Sequence, residues 1–273
     1  MFFWRVVEIM RIVISLLIIS IILISGCVST INPVKPEDVI ASIEPITIKE
    51  FQEQEISVIV LDNATEAIDN VRVASLDTFT VLSSGNVNIP ARTEDGASSV
   101  ALMAKIQAPG FKSAANTTTL TLSYASGKDE KGNPVIKTKT VPVQTTVLPN
   151  AILQFVGFVE SYEQRGRGAQ LNTWTLEKGK NATISFSAKN DGKTTIDKNT
   201  LKVVVEIENK EIGGSDTFLI GEGMAMGGTS YTEAVVLKVK KDAPNGETPV
   251  YVKLLMGDNL IDSTTLTLKV KLT

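Results

Sequence analysis

The chain has 273 residues, a formal net charge of −3 and a pI near 5.3. This acidic balance argues against nucleic acid as a partner, because phosphate binding depends on an excess of Lys and Arg. The chain has no His and one Cys, which excludes His-dependent catalytic triads, His-based zinc or iron sites, internal disulfides and CxxC redox pairs. We therefore predict a protein without cofactor or metal and without enzymatic activity.

The first 26 residues are typical of an export signal. Their only charges are Arg5, Glu8 and Arg11, and a 13-residue apolar run, Ile12–Ile24, follows. A helix needs roughly 20 apolar residues to span a membrane, so this run fits the hydrophobic region of a signal peptide better than a permanent anchor. An uncleaved membrane helix is the alternative, because the residues before Glu8 are also largely apolar. A start at Met10 would leave a shorter signal of the same kind.

The single cysteine directly follows this run. Ile24, Ser25 and Gly26 precede Cys27, and this order resembles the lipobox of prokaryotic lipoproteins. The resemblance implies that residues 1–26 are a lipoprotein signal peptide, with cleavage after Gly26 and lipid attachment at Cys27. Membrane lipid would then anchor the chain to the outer face of the cytoplasmic membrane, in the cell envelope. Residues 27–37, rich in Ser, Thr, Asn and Pro, are expected to form a tether.

After the tether, apolar and polar residues alternate with a period of two, which predicts an all-β fold. The runs are short and are separated by Gly, Asn, Asp and Pro clusters, a spacing typical of a β-sandwich or barrel. Clear examples are Ile56–Val60, Val100–Ile106, Leu120–Tyr124, Leu201–Ile207 and Leu266–Leu272. Only Pro36–Ile43 has a helical alternative, because Pro is favoured at the first position of a helix.

An internal repeat indicates two domains. Ile56 and Ile68 recur as Ile184 and Ile196, with the same spacing and an offset of 128 residues. Two copies of one sandwich, each slightly over 100 residues, fit the remaining length. We therefore predict one β-sandwich domain over residues 38–149 and a second over residues 150–273.

The first of these domains resembles the immunoglobulin-like domains of bacterial and archaeal cell-surface and S-layer-associated proteins. The resemblance rests on a strand and polar turn over Ile56–Val73 and on the pattern Leu120-x-Leu122-x-Tyr124-x-x-Gly127. It implies two tandem immunoglobulin-like sandwiches on the cell surface, but no activity, since such folds host unrelated functions. The high Ile content and the absence of His favour an archaeal source.

Candidate site residues are few. Asn63, Asn116 and Asn181 stand in Asn-x-Ser/Thr sequons and are candidates for N-glycosylation. Tyr162 and Trp174 are candidates for ligand contact, since aromatic rings stack on sugars and anchor protein partners. For Trp174 a place in the core is the alternative.

The sequence therefore predicts a lipid-anchored, non-catalytic spacer, adhesion or protein-interaction module whose partner is another envelope protein or a surface glycan. The alternative is an accessory lipoprotein that binds carbohydrate or peptide for a transporter or hydrolase. Saturable binding that is lost in Trp174→Ala would favour that alternative. A third possibility is a cofactor-free hydrolase that uses carboxylates or a Ser/Lys pair. We expect it to fail if two loop acids do not come within about 10 Å over a common cleft.

Overall fold

A computed structural model describes residues 34–94, 96–112, 116–160, 171–228 and 230–271. These residues form β-strands and no helix, so the all-β class predicted from the sequence is confirmed. None of the described segments is a helix that could cross a membrane. In chain order the strands are β1 (Val39–Ile43), β2 (Ile46–Lys49), β3 (Glu53–Asp62), β4 (Ile68–Leu76), β5 (Thr80–Ser84), β6 (Val87–Ile89), β7 (Ser98–Gln107), β8 (Asn116–Lys128), β9 (Pro134–Leu148), β10 (Ala151–Val159), β11 (Thr173–Glu177), β12 (Asn181–Asn190), β13 (Leu201–Ile207), β14 (Ser215–Leu219), β15 (Ser230–Lys238), β16 (Gly246–Met256) and β17 (Asn259–Lys271).

The strands up to β9, which we call the first half, form two sheets around one hydrophobic cluster. The sheet orders are β1-β3-β7-β5 and β2-β9-β8-β4-β6. Alternation places Ile56, Val58 and Val60 of β3 on the inner side, and Leu120 and Leu122 of β8 meet them from the other sheet. Burial of one face of each sheet is the main stabilising term of such a sandwich.

The strands from β10 onward, the second half, repeat this plan around a second cluster. Here the sheet orders are β10-β12-β15 and β11-β17-β16-β13-β14. Val203 and Val205 of β13 and Val252 of β16 are fully buried opposite Ile184 and Phe186 of β12. In both halves the second strand along the chain is short and belongs to the second sheet, where it pairs in parallel with the last strand. These pairs are β2 with β9 and β11 with β17.

The segment before β1 packs on the first half. Val34 is 2 % exposed and belongs to the first hydrophobic cluster. The side-chain amines of Lys137 and Lys139 donate hydrogen bonds to the carbonyl oxygens of Val34 and Pro36. Residues 36–38 form a turn and β1 begins at Val39, so the helical alternative for this stretch is wrong. Residues 34–37 of the expected tether are thus held against the sandwich.

A polar group interrupts the first cluster at the end of β3. Asp62 is fully buried, and one carboxylate oxygen accepts a hydrogen bond from the Ala64 amide at 2.9 Å. Its other oxygen and the hydroxyls of Tyr124 and Ser126 on β8 are buried without a hydrogen-bond partner among the described residues. Burial raises the pKa of both Asp62 and Tyr124, and the carboxylate of Asp38 adds to each shift.

The raised pKa of Asp62 predicts that this residue makes folding less favourable as the pH rises. A carboxyl group with a higher pKa in the folded than in the unfolded state loses stabilisation as the pH rises from the unfolded value through the folded one. We expect Asp62→Asn, which keeps an acceptor for Ala64, to raise the free energy of unfolding at pH 7 relative to wild type. The difference should shrink as the pH falls towards 4 in urea unfolding curves. A difference that stays constant with pH, or a less stable variant, would contradict this assignment.

Candidate functional site: the junction between the halves

The turn between β2 and β3 brings Glu50 to the contact between the two halves. The Gln52 amide donates to the Lys49 carbonyl at 3.2 Å, and Phe51 adopts a φ of 58°. This left-handed conformation is uncommon for residues other than Gly. The Glu50 amide donates to the Leu148 carbonyl at 2.8 Å and so continues the pairing of β2 with β9. The turn is therefore held on both sides of Glu50.

The Glu50 side chain is buried between the halves, where it is 5 % exposed. One oxygen accepts a hydrogen bond from the Thr194 hydroxyl at 2.7 Å, and the other accepts one from the Asn150 amide at 3.3 Å. A side chain at Gly192 would overlap the Glu50 carboxylate, so a larger residue there would displace Glu50 from its partners. Because a buried carboxylate is costly unless it is hydrogen-bonded, these partners make its burial possible.

Asn190 organises the loop of the second half that receives Glu50. The side chain of Asn190 is fully buried, and its amide nitrogen donates to the carbonyl oxygens of Thr194 at 2.8 Å and Met224 at 3.0 Å. Its side-chain oxygen accepts from the Gly192 amide at 3.0 Å. The loop that binds Glu50 is therefore fixed by hydrogen bonds of its own.

The connection between β9 and β10 is short and bound to both halves. It consists of Pro149, which is buried, and Asn150. The Asn150 amide donates to Glu50, and its carbonyl accepts from the Asp191 amide at 2.9 Å. The backbone N–H of Asn150 is thus bound to the first half and its C=O to the second half. These two hydrogen bonds leave the connection little conformational freedom.

Apolar contacts extend this junction. Phe111 follows β7 in the first half, yet its side chain is 5 % exposed and belongs to the hydrophobic cluster of the second half. The Lys193 amine lies 5.6 Å from the centre of the Phe51 ring, within the range of a cation–π contact. Gly110 lies so close to Thr194 that a Cβ would come within 2.8 Å of the Thr194 methyl group. The halves therefore share buried apolar surface as well as hydrogen bonds.

The chemistry of the junction suits attachment rather than catalysis. Both Glu50 oxygens are occupied by donors and are shielded from solvent, so the carboxylate has no free face toward a substrate. Across the described ranges, no group of three Cys, Asp or Glu side chains could hold a metal ion.

The sequons differ in their surroundings. Asn63 is exposed in the loop after β3, and Asn181 is exposed as the first residue of β12. Asn116 is the first residue of β8, and only its backbone is described. The hydroxyl of Thr118, the third residue of that sequon, is buried and lies 3.4 Å from the Val143 carbonyl.

Trp174 lies on β11 and is half-buried. Its ring stacks on that of Phe158, with centres 6.5 Å apart and an angle of 26° between the ring planes, and it packs against the second hydrophobic cluster. Tyr162, the other aromatic candidate, lies outside the described residues. The lipobox residues Ile24, Ser25, Gly26 and Cys27 also lie outside them.

The sequence reasoning did not single out Glu50. Its partners Asn150 and Thr194 are 100 and 144 residues away along the chain, so no local pattern marks Glu50 as buried. The repeat gives a signal only for the loop that receives Glu50. In that repeat Asn190-Asp191-Gly192 stands at the position of the polar turn Asp62-Asn63 of the first half.

Comparison with solved structures finds similarity at a low level, and one example is a transglutaminase. No family model and no curated protein matches the sequence. The crystal structure of red sea bream transglutaminase is similar with a TM-score of 0.35 and 9 % identity, over 86 % of this chain and 31 % of that chain. This chain thus spans about a third of the length of that protein. A similarity of this size does not bear on activity.

The junction predicts that Glu50 contributes to stability beyond what a surface carboxylate does. We expect Glu50→Ala to lower the free energy of unfolding by about 1–3 kcal/mol, because Thr194 and the Asn150 amide lose their acceptor. Glu66→Ala removes an exposed loop carboxylate and should change stability by less than about 0.5 kcal/mol. Chemical denaturation of both variants tests this, and equal stabilities would contradict the assigned role of Glu50.

Proposed function

We propose that the protein is a lipid-anchored, non-catalytic spacer and interaction module of the cell envelope, built from two immunoglobulin-like domains. The observation that carries this proposal is the junction, in which Glu50, Asn150 and Phe111 join the two halves. A connection of this kind suits a protein whose task is to hold a surface at a set distance and orientation.

The strand order supports the immunoglobulin-like assignment. In the immunoglobulin fold one sheet has the order A-B-E-D and the other contains G-F-C. The orders β1-β3-β7-β5 and β9-β8-β4 of the first half correspond to these. In the second half β10-β12-β15 corresponds to A-B-E, and β17-β16-β13-β14 to G-F-C with one added strand. We place the domain boundary at Pro149–Asn150, between β9 and β10.

The packed segment before β1 bears on the distance from the membrane. With Val34 held in the first cluster, the seven residues 27–33 would separate this packed segment from the lipid after cleavage at Gly26. At about 3.3 Å per residue these seven residues reach about 23 Å when fully extended. The first domain would therefore lie near the lipid headgroups, with the second domain following it along the chain.

The anchor predicts a cysteine-dependent membrane location. In the native host, we expect the wild-type chain to partition into the detergent phase of a Triton X-114 extraction. Mass spectrometry should find an N-terminal Cys27 that carries lipid. Cys27→Ala should remain unprocessed or leave the membrane fraction, because the thiol that accepts the lipid is absent. A wild-type chain with an unmodified Cys27 thiol and an intact residue 1–26 segment would overturn the anchoring proposal.

A further inference from the structure

The central strand β3 of the first half has an unpaired edge. On one side β3 pairs with β7 along its whole length, from Glu53↔Gln107 to Asp62↔Ser98. On the other side β1 pairs only with the later part of β3, from Val58 to Asp62, and its last residue is Ile43. Within the part of the chain that the structure describes, residues 53–57 of β3 therefore have a strand neighbour on one side only.

The hydrogen-bonding groups of Glu53, Glu55 and Ser57 point to this open side. In an antiparallel pair, successive residues direct their N–H and C=O groups alternately to opposite sides. The Ala108 amide donates to the Gln52 carbonyl, which directs the even-numbered residues of β3 to β7. The Asn63 amide donates to the Asp38 carbonyl, which directs the odd-numbered ones to the β1 side.

The second half closes the equivalent edge. There β10 pairs with β12 from Thr183 to Asn190, with one irregularity, while β15 pairs with the other side of β12. The two halves share a sheet plan, so the open edge of β3 is a feature of the first half. It arises because the chain leaves β3 after Ile43, crosses at Glu44–Pro45 and continues as β2 in the other sheet.

A groove with a volume of about 550 Å³ lies along this open edge. One wall is the crossing segment from Ser42 to Ile46, and the other is β3 from Gln54 to Ser57 together with Ile59. The groove therefore occupies the track on which β1 would have continued. An extended segment placed there would meet N–H and C=O groups of β3 that face no other described strand.

The charges of the groove favour a basic occupant. Glu44 and Glu55 line it, both are exposed, and neither has an ion-pair partner among the described residues. Glu55 is at an outward-facing position of β3, as is the exposed Ile59, and the exposed Ser42 is at such a position of β1. Glu44 lies in the crossing segment that follows β1. On the inner side, Ile43, Ile46 and Ile56 offer apolar contact.

We propose that this groove binds an extended, basic segment of a partner protein, which adds to β3 as an antiparallel strand along residues 53–57. Main-chain hydrogen bonds to Glu55 and Ser57 would hold the segment, as in other cases of strand addition. Alternating side chains would set the preference, with Lys or Arg toward Glu44 and Glu55 and aliphatic residues toward Ile46. This proposal deepens the interaction role proposed above by naming the surface and the class of partner.

The free protein provides a first test of the edge. By amide hydrogen exchange followed by NMR, Glu55 and Ser57 should exchange rapidly, while their neighbours Gln54 and Ile56 should be protected by their bonds to β7. The equivalent residues of β12 should be protected on both sides. Strong protection of the Glu55 and Ser57 amides in the free protein would mean that the edge is already closed, and would overturn the proposal.

Binding is tested with a synthetic seven-residue peptide in which Val and Lys alternate, capped at both ends. We expect saturable binding by isothermal titration calorimetry or fluorescence anisotropy, weaker at high salt, together with new protection of the Glu55 and Ser57 amides. The same peptide with N-methylated alternate residues should not bind, because it cannot complete the ladder. The same peptide with Glu in place of Lys should bind at least about tenfold more weakly.

Variants of the protein separate the backbone and charge contributions. Ser57→Pro removes an outward N–H that β7 does not use, so the fold should persist while affinity falls at least about tenfold.

The double variant Glu44→Gln/Glu55→Gln should weaken binding of the Lys peptide and reduce its salt dependence. The matched control Glu66→Gln/Glu130→Gln removes two exposed loop carboxylates and should leave binding unchanged. Thermal unfolding checks the fold of every variant.

Absence of saturable binding by the Lys peptide, or binding that Ser57→Pro leaves unchanged, would overturn the groove proposal. Neither result would bear on lipidation at Cys27, which mass spectrometry measures separately. The groove proposal can therefore fail while the anchored spacer role stands. Conversely, peptide binding by the wild-type chain, together with an unmodified Cys27 in the chain from the native host, would support the groove and refute the anchor.

Discussion

The organisation of this protein depends on one buried carboxylate. Glu50 is the point at which the first half, the connection and the second half are joined by hydrogen bonds, through the Asn150 amide and the Thr194 hydroxyl. Its burial is tolerable only while both partners are present, because an unpaired buried charge costs several kcal/mol. The position of Glu50 is fixed in turn by the left-handed turn at Phe51. The relative placement of the halves therefore follows from local backbone geometry in each of them.

The two halves share one sheet plan but differ at the edge of one strand. In both halves the second strand along the chain pairs in parallel with the last strand, in the sheet that does not contain the first strand. In the first half the crossing from β1 to β2 leaves part of β3 without a described neighbour, whereas in the second half β10 covers β12 almost completely. Exposed strand edges invite association with other chains, and proteins usually cover or charge them. The acidic residues along the open edge of β3 fit this pattern, since they discourage pairing between copies of the chain and favour a basic partner.

The sequence predicted the features that depend on local periodicity. The alternation of Ile56, Val58 and Val60 identified an all-β fold because a period of two has one structural meaning for a half-buried strand. The repeat at an offset of 128 residues places Ile56 on β3 and Ile184 on β12, which occupy the same position in their sheet orders. It is less regular further on, since Ile68 begins β4, while Ile196 precedes β13 and only bridges to Met224.

The features that depend on tertiary contact could not be predicted in this way. Glu50 resembles any turn carboxylate until Thr194 is brought to it. Likewise, nothing near Phe111 indicates that it joins the cluster of the opposite half. Val34 was assigned to a tether on composition, but packing beside Lys137 holds it. The lipobox at Cys27 is a sequence pattern recognised by processing enzymes and does not depend on the fold. It stays a prediction from sequence.

The central claim is that Glu50 and its partners hold the two halves in one fixed arrangement. The chain has one cysteine, so Cys27→Ala allows spin labels to be placed at Ser99→Cys on β7 and Thr265→Cys on β17, both exposed positions. Double electron–electron resonance between these labels should give a single narrow distance distribution, and Glu50→Ala should broaden it. A broad distribution in the protein with Glu50 intact would contradict the account.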